Sequence, residues 1–251
     1  DTSIRLWHVG TYRYGWEDAG IERQRFEAFT LNFGDSPGTP QATPTDKHAA
    51  LANFAGAYPW PAEKPDVPPF PQPNWLFPGT RELLSRSISK STRLIVELGS
   101  WTGRSTRFLA DLAPQATVIA IDHWEGSPEH KEDPNLAPLL PRLYETFLSE
   151  CWAHRDQIIP VKMRSIEGMH RVAEAGLEPD LVYIDADHGF ESVLNDLTSA
   201  LDLFPRALIV GDDWNWDSVR QAVERVAKGR SVRYESVGSG WRIVRQTTAP
   251  S

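Results

Sequence analysis

Cysteine is nearly absent from this chain of 251 residues; Cys151 stands alone. A single thiol excludes an internal disulfide framework. Its place on the apolar face of an expected helix marks it as a buried structural group rather than a nucleophile. Basic clusters are missing too. The formal net charge is -8 and the basic residues form no long run, which argues against phosphate contacts and against nucleic acid as a partner. No apolar stretch reaches the ~18 residues of a membrane span, so no membrane partner is expected. Cytoplasmic is the default compartment, and because the chain begins at Asp1, a removed leader, tag or upstream domain stays open.

What is present is a core-forming composition, with 40% hydrophobic residues, enough for one substantial core plus an extension. Proline is unevenly spread, since eleven of the 20 prolines fall between Pro37 and Pro78. The segment Tyr58 to Pro78 can therefore be neither helix nor inner strand, because proline removes donors that both need. Trp60, Phe70, Trp75 and Phe77 are too apolar for a free linker, so this segment is expected to lie on the surface of the domain that follows. Before it, Ile21 to Leu31 and Asp46 to Tyr58 carry helical spacing, and Trp7, Tyr12, Tyr14 and Trp16 cluster near the start. Residues 1–78 thus read as an irregular extension. A substrate lid, a dimerisation arm giving a homo-oligomer, and plain aromatic packing onto the core are all open readings of it.

From Gly79 onward, as a domain over residues 79–251, the pattern becomes regular. Thr80 is a candidate cap for a helix running to Ile88. Leu94 to Leu98 reads as a strand buried on both faces. A glycine turn follows, then a helix that buries Phe108, Leu109 and Leu112, and then a second strand, Thr117 to Ile121, ending on Asp122. After a polar loop from Glu125 to Pro134, Leu140, Leu143, Tyr144, Phe147 and Cys151 fall at helical spacing. Further strands are expected at Ile158 to Val161, Leu181 to Ile184 and Ala207 to Val210, with helices marked by Val193, Leu194, Leu197 and Leu201 and by Val219, Ala222, Val223 and Val226. This alternation means an α/β fold with a doubly wound, mostly parallel sheet. Ser231 to Val237 and Trp241 to Val244, joined by Gly238-Ser239-Gly240, read as a closing antiparallel hairpin.

Chemistry belongs at the carboxyl ends of such strands. The first glycine turn is Glu97-Leu98-Gly99-Ser100-Trp101-Thr102-Gly103, not the GxGxxG of dinucleotide sites. An acid two residues before the first glycine would repel a pyrophosphate, whereas Glu97 and Asp122 together favour a cationic ligand. The bland reading is an ordinary βαβ unit with an accidental glycine pair. Acids also end the later strands, in Ile184-Asp185-Ala186-Asp187-His188 and in Gly211-Asp212-Asp213-Trp214. Asp185, Asp212 and Asp213 would repel one another unless a divalent cation lies among them. Oxygen-only ligands favour magnesium, calcium or manganese, magnesium first. The competing reading gives Asp212, Asp213 and Asp187 helix-capping duties.

In this order the glycine turn, IDADH and GDDW resemble the class I S-adenosylmethionine-dependent methyltransferases. The likeness covers about Gly79 to Val244 and is greatest to the branch of metal-dependent O-methyltransferases of antibiotic sugars. The resemblance implies a Rossmann-like, seven-stranded sheet and S-adenosylmethionine as cofactor. By position it implies that Glu97, Gly99, Ser100, Gly103 and Ser105 line the methionine end and that Asp122 holds the ribose. His123 and Trp124 would flank the adenosine, with Arg164 and Ser165 near the adenine. Asp185 would serve both cofactor and metal, with Asp212 and Asp213 as further metal ligands. The proline-glycine-glycine turn usual before the fifth strand is replaced by Leu203-Phe204-Pro205-Arg206-Ala207. Residues 1 to about 80 carry no motif of the group.

The expected reaction is methylation of a hydroxyl on a small molecule, one of a vicinal pair on a sugar or other polyhydroxylated ring. The metal would lower the hydroxyl pKa and Asp187 or His188 would take the proton. His188 as a cofactor partner or helix-capping group is the plain alternative. A NAD-linked oxidoreductase, a metal-dependent hydrolase using Asp122-His123 and Asp187-His188, and a non-catalytic cofactor-binding module are the rival classes.

Overall fold

The computed structural model describes residues 44–68 and 75–244. The expected helix at Ile21 to Leu31 and the aromatic cluster from Trp7 to Trp16 lie outside those residues. The elements follow in the order α1 (Pro44–Ala57), α2 (Pro78–Ser87), β1 (Leu94–Leu98), α3 (Arg104–Leu112), β2 (Thr117–Asp122), α4 (Pro128–Glu132), α5 (Leu143–Glu150), β3 (Ile158–Lys162), α6 (Ser165–Glu174), β4 (Leu181–Ile184), α7 (Phe190–Leu203), β5 (Leu208–Gly211), α8 (Asp217–Arg230), β6 (Arg233–Val237) and β7 (Gly240–Val244). Among the described residues no helix is long and apolar enough to cross a membrane.

The sheet has seven strands in the order β3-β2-β1-β4-β5-β7-β6. Strands β1 to β5 pair in parallel, whereas β7 runs antiparallel to both β5 and β6. Sequence order reverses between β1 and β4, which opens a crevice at their carboxyl ends, the usual ligand position in an open α/β sheet. Alternation along β1 sorts its side chains between the two faces. Leu94, Val96 and Leu98 join the core of α6, α7 and α8, while Ile95 joins the core of α2, α3 and α5. Glu97, fully buried, shares the Ile95 side.

Several local expectations shift. Helix α2 starts at Pro78 with Phe77 as its N-cap, so Thr80 lies inside the first turn and spends its hydroxyl elsewhere. The polar loop after β2 contains the short helix α4, closed by a reciprocal cap between Ser127 and His130. The helix expected around Leu140 is interrupted, because Pro141 falls in a 3-10 turn, Ala137–Arg142, and α5 begins only at Leu143.

The edge strand β3 carries Pro160, which edges tolerate. At the start of the proline-rich segment, Trp60 reaches that edge. The Trp60 indole donates to the Ile158 carbonyl at 2.7 Å and lies against Phe147 and Trp152. Helix α1 buries Phe54 in the same body. Trp60→Ala is expected to lower stability by about 2–3 kcal/mol, near the lower end for large aromatic truncations because the ring is only partly buried. A urea-unfolding midpoint measures this.

Candidate active site

The register of the central strands aligns a row of residues across the crevice. Leu98 faces Ile121 on one side and Ile184 on the other, and Ile184 faces Gly211. One position further on, Asp122, Gly99, Asp185 and Asp212 therefore lie side by side. The backbone continues the ladder across them, with the Asp185 amide donating to Leu98 at 2.9 Å and the Asp212 amide to Ile184 at 3.1 Å. Gly99 has φ +84°, and a β-carbon there would fall 2.0 Å from the Asp185 carbonyl oxygen. The first glycine thus lets the loop pass against β4. Gly103 has a different task, since a β-carbon there would strike the Cys151 sulfur at 2.1 Å. Both glycines are required by packing, a role the sequence alone does not distinguish from close approach to a ligand.

Cys151 is the buried structural thiol expected. Burial raises it to about 12, which rules out a thiolate nucleophile near neutrality.

Beneath the loop, Glu97 accepts from the Ser100 hydroxyl at 2.8 Å and from the Thr106 hydroxyl. Ser105 is a further hydrogen-bond partner. These bonds lower its pKa, yet burial outweighs them and raises it from 4.5 to about 7. Its Oε1 is buried with no partner. The Asp122 oxygens accept the backbone amides of Trp101 at 2.8 Å and Trp124 at 2.6 Å, and each oxygen keeps a second lone pair. This orphaned carboxylate oxygen and these free lone pairs are what a ligand with ammonium and hydroxyl donors requires. The donor set fits S-adenosylmethionine.

The adenosine side departs in part from expectation. Trp124, at φ +51°, turns into the core. It is 3% exposed, packs on Tyr144 and Phe147, and donates its indole to the Trp101 carbonyl at 2.7 Å. It therefore braces the glycine loop from behind, and it is not a wall for the adenosine. Half-exposed His123 stays at the surface beside Asp122, its Nδ1 accepting from Glu125 at 2.9 Å. Arg164 is exposed at the N-cap of α6. Ser165 hydrogen-bonds Asp196, a buried acid on α7 that burial raises to about 7 and that the sequence did not single out.

At the other end of the row, a residue missed from sequence organises the acids. Tyr183, fully buried on β4, has its hydroxyl 2.9 Å from Asp185 and 3.5 Å from Asp212. Thr80 donates to the same Asp212 at 2.6 Å. Burial first, then the charges of Asp212 and Asp213, hold Asp185 well above the usual carboxylate range. Burial likewise raises Asp212, against its bond from Thr80.

Asp213 leaves this pair. It is the residue of left-handed backbone, φ +64°, and it accepts from His188 Nε2 at 2.9 Å. Burial would lower His188, but this bond and the Asp213 charge overcome it and raise its pKa. The trio expected as metal ligands is accordingly a pair, Asp185 and Asp212, plus a carboxylate committed to a histidine. Among the described residues no group of three or more His, Cys, Asp or Glu is gathered to hold a metal ion. Asp187 is exposed, and its Oδ1 accepts the Gly189 amide at 2.6 Å. It turns the chain ahead of α7, whose N-cap is Gly189 without a side-chain cap, so the capping duty named as its alternative is not the one it fills.

Residues 96–214 match a family described as a methyltransferase domain, a span that takes in Glu97, Gly99, Asp122, Asp185 and Asp212. No curated protein matches the chain. Among solved structures, a cofactor-bound protein from MTB is similar at 20% identity, over 90% of this chain and 97% of that one, with TM-score 0.46. An O-methyltransferase from Bacillus cereus in complex with SAH is similar at 17% identity over 88% and 97%, TM-score 0.45. CalS11, a TDP-rhamnose 3'-O-methyltransferase of calicheamicin biosynthesis, is similar at 17% identity over 82% and 96%, TM-score 0.46. Glycine loop and acid row thus both lie inside the part of the chain, residues 96–214, that matches the methyltransferase-domain family.

Proposed function

We propose that the enzyme methylates a hydroxyl of a small, polyhydroxylated ring, with a divalent cation, magnesium foremost, assisting at Asp185 and Asp212. One observation carries this reading. A histidine oriented by a carboxylate, His188 on Asp213 at 2.9 Å, lies beside a second pair of carboxylates sharing one tyrosine hydroxyl. The first pair can take a proton. Burial and mutual repulsion oppose ionisation of the second, a cation would favour it, and the pair's all-oxygen chemistry suits a hard one. A full cage would further need Asp213 or water.

When bound, S-adenosylmethionine supplies an electrophilic methyl group on sulfonium sulfur, and a divalent cation supplies charge that lowers the pKa of an acceptor hydroxyl. The protein's own groups do the rest. Glu97 and Asp122 orient the donor through its ammonium and ribose. Asp213 fixes the ring of His188 through Nε2, which leaves Nδ1 as the nitrogen to receive the acceptor's proton. The acceptor oxygen forms its bond to the methyl carbon as the carbon–sulfur bond breaks. The products are a methyl ether, a neutral thioether and an imidazolium held against Asp213. Alignment of the two reactants supplies much of the rate.

The test is incubation with S-adenosylmethionine and a panel of vicinal cyclic diols, with magnesium or with EDTA, read by mass spectrometry. The expected result is a gain of one methyl group on at least one diol, lost with EDTA and restored by magnesium. Transfer at an equal rate in EDTA would remove the cation from the proposal. Transfer only to amine or thiol controls would remove the hydroxyl.

A further inference from the structure

Two histidines of the crevice lie against tryptophans. His188 stacks on Trp216, with the rings 14° apart and their centroids 4.7 Å apart. His130, half-buried on α4, takes no part in the chemistry above, yet it is near enough to both Asp122 and His188 for their charges to act on it. Its ring lies 4.2 Å from that of Trp101 in the glycine loop and 5.7 Å from that of Trp75, centroid to centroid. Through this one imidazole, α4 meets the glycine loop.

The same imidazole closes the cap of α4. Its Nδ1 accepts the Ser127 amide at 3.1 Å, and the His130 amide donates to the Ser127 hydroxyl at 3.4 Å. An imidazole nitrogen accepts only when it carries no proton, so the cap belongs to the neutral ring with its hydrogen on Nε2. A proton on Nδ1 would set N–H against N–H. The turn has little room to re-form that bond elsewhere, because a β-carbon on Gly126, at φ +72°, would fall 2.6 Å from Leu140 and 3.3 Å from His130. Trp101 in turn needs support, since its φ of +46° is one that a large side chain rarely adopts. Asp122 holds its amide at 2.8 Å, the Trp124 indole holds its carbonyl at 2.7 Å, and its ring rests on His130 and Trp75.

We propose that His130 is a positioning residue for the cofactor: its unprotonated Nδ1 fastens α4 against Trp101, which shapes the loop beside Asp122, and acid releases the fastening. This rests on the reading of Glu97 and Asp122 as the acids that hold S-adenosylmethionine. Burial first, and His188 with it, oppose a charged His130 ring. They prevail over Glu129 on α4, Asp122 at the end of β2 and Asp133 just after α4, so the pKa lies below the ordinary 6.5. The rings of Trp101 and Trp75 add no charge. The folded chain therefore binds this proton less tightly than the unfolded one. The fastening is complete above 6.5 and is lost as pH falls through the lower folded value.

The test compares the full chain as wild type, His130→Gln and His130→Glu, because glutamine and glutamate at this cap position accept the amide without an imidazole. Hydrogen exchange of peptides spanning residues 122–133, without ligand, and calorimetry with S-adenosylhomocysteine are run at about pH 7.5 and about pH 5.5. On acidification wild type should lose protection in these peptides by about threefold more than either variant, and S-adenosylhomocysteine affinity by about threefold more. Glu97 titrates in the same range but in all three proteins, so the comparison cancels it. Equal loss of protection in wild type and both variants overturns the proposal. A larger loss of protection in wild type with an equal loss of affinity also overturns it, because α4 would then release without moving the cofactor loop. Failure of S-adenosylhomocysteine to bind wild type at the higher pH strikes the reading of Glu97 and Asp122 instead, and the exchange comparison still decides whether His130 fastens α4.

Discussion

His188→Gln lowers kcat by about 10²–10⁴-fold, the usual worth of a general base, and leaves S-adenosylhomocysteine affinity within about twofold. Glutamine still donates to Asp213 and still presents a flat group to Trp216, so the local packing survives. What it lacks is a nitrogen that can accept the acceptor's proton. Asp213→Asn falls less far, because histidine remains but loses the carboxylate 2.9 Å from Nε2 that holds its ring and stabilises its charged form. Steady-state methylation of any diol accepted by the wild type, beside calorimetry, measures both effects. A kcat within about threefold of wild type in His188→Gln would show that the hydroxyl ionises without this residue.

Glu97→Gln produces the second large effect, and it has opposite signs in stability and binding. The acid is fully buried and its pKa rises from 4.5 to about 7 on folding. The folded state thus binds a proton more tightly than the unfolded one. Its contribution to stability is fully present below 4.5 and is lost as pH rises through about 7. Above that value the chain carries the cost of a buried charge, of order 2–3 kcal/mol. The neutral amide removes that cost. At about pH 8 the ligand-free variant should exceed wild type in stability by up to about that amount, with the gap closing toward about pH 5. Cofactor affinity should move the other way, falling about 10–100-fold as the ammonium loses a charged partner. Thermal unfolding across this pH range, paired with S-adenosylhomocysteine titrations, separates the two. A variant less stable than wild type at the higher pH would mean that the hydroxyls of Ser100 and Thr106 require the charge.

Much of this was legible in the sequence for a simple reason. The parallel strands are short apolar runs that end abruptly on acids, and a doubly wound sheet puts all such ends on one edge. That is why Asp122, Asp185 and Asp212 fall in one row. Side-chain commitments were less legible. Asp213 belongs by position with Asp212, but a positive φ turns it to His188. Trp124 follows the ribose acid, and a positive φ sends its ring inward. A single backbone sign is not written in local composition. Thr80 meets Asp212 only because α2 packs across β5 and β7, a contact no local pattern encodes. Tyr183 was within reach, since it stands two residues before Asp185 on the same strand face.

Catalysis as proposed depends on an acid-lined crevice that accepts a donor bearing ammonium and ribose groups beside a carboxylate pair suited to a cation. Calorimetry of S-adenosylhomocysteine with the full chain, with and without magnesium, tests it most directly. Saturable binding is expected in both conditions, with a separate magnesium heat that disappears in an Asp185→Asn, Asp212→Asn double variant. No binding of S-adenosylhomocysteine at any magnesium concentration would contradict it.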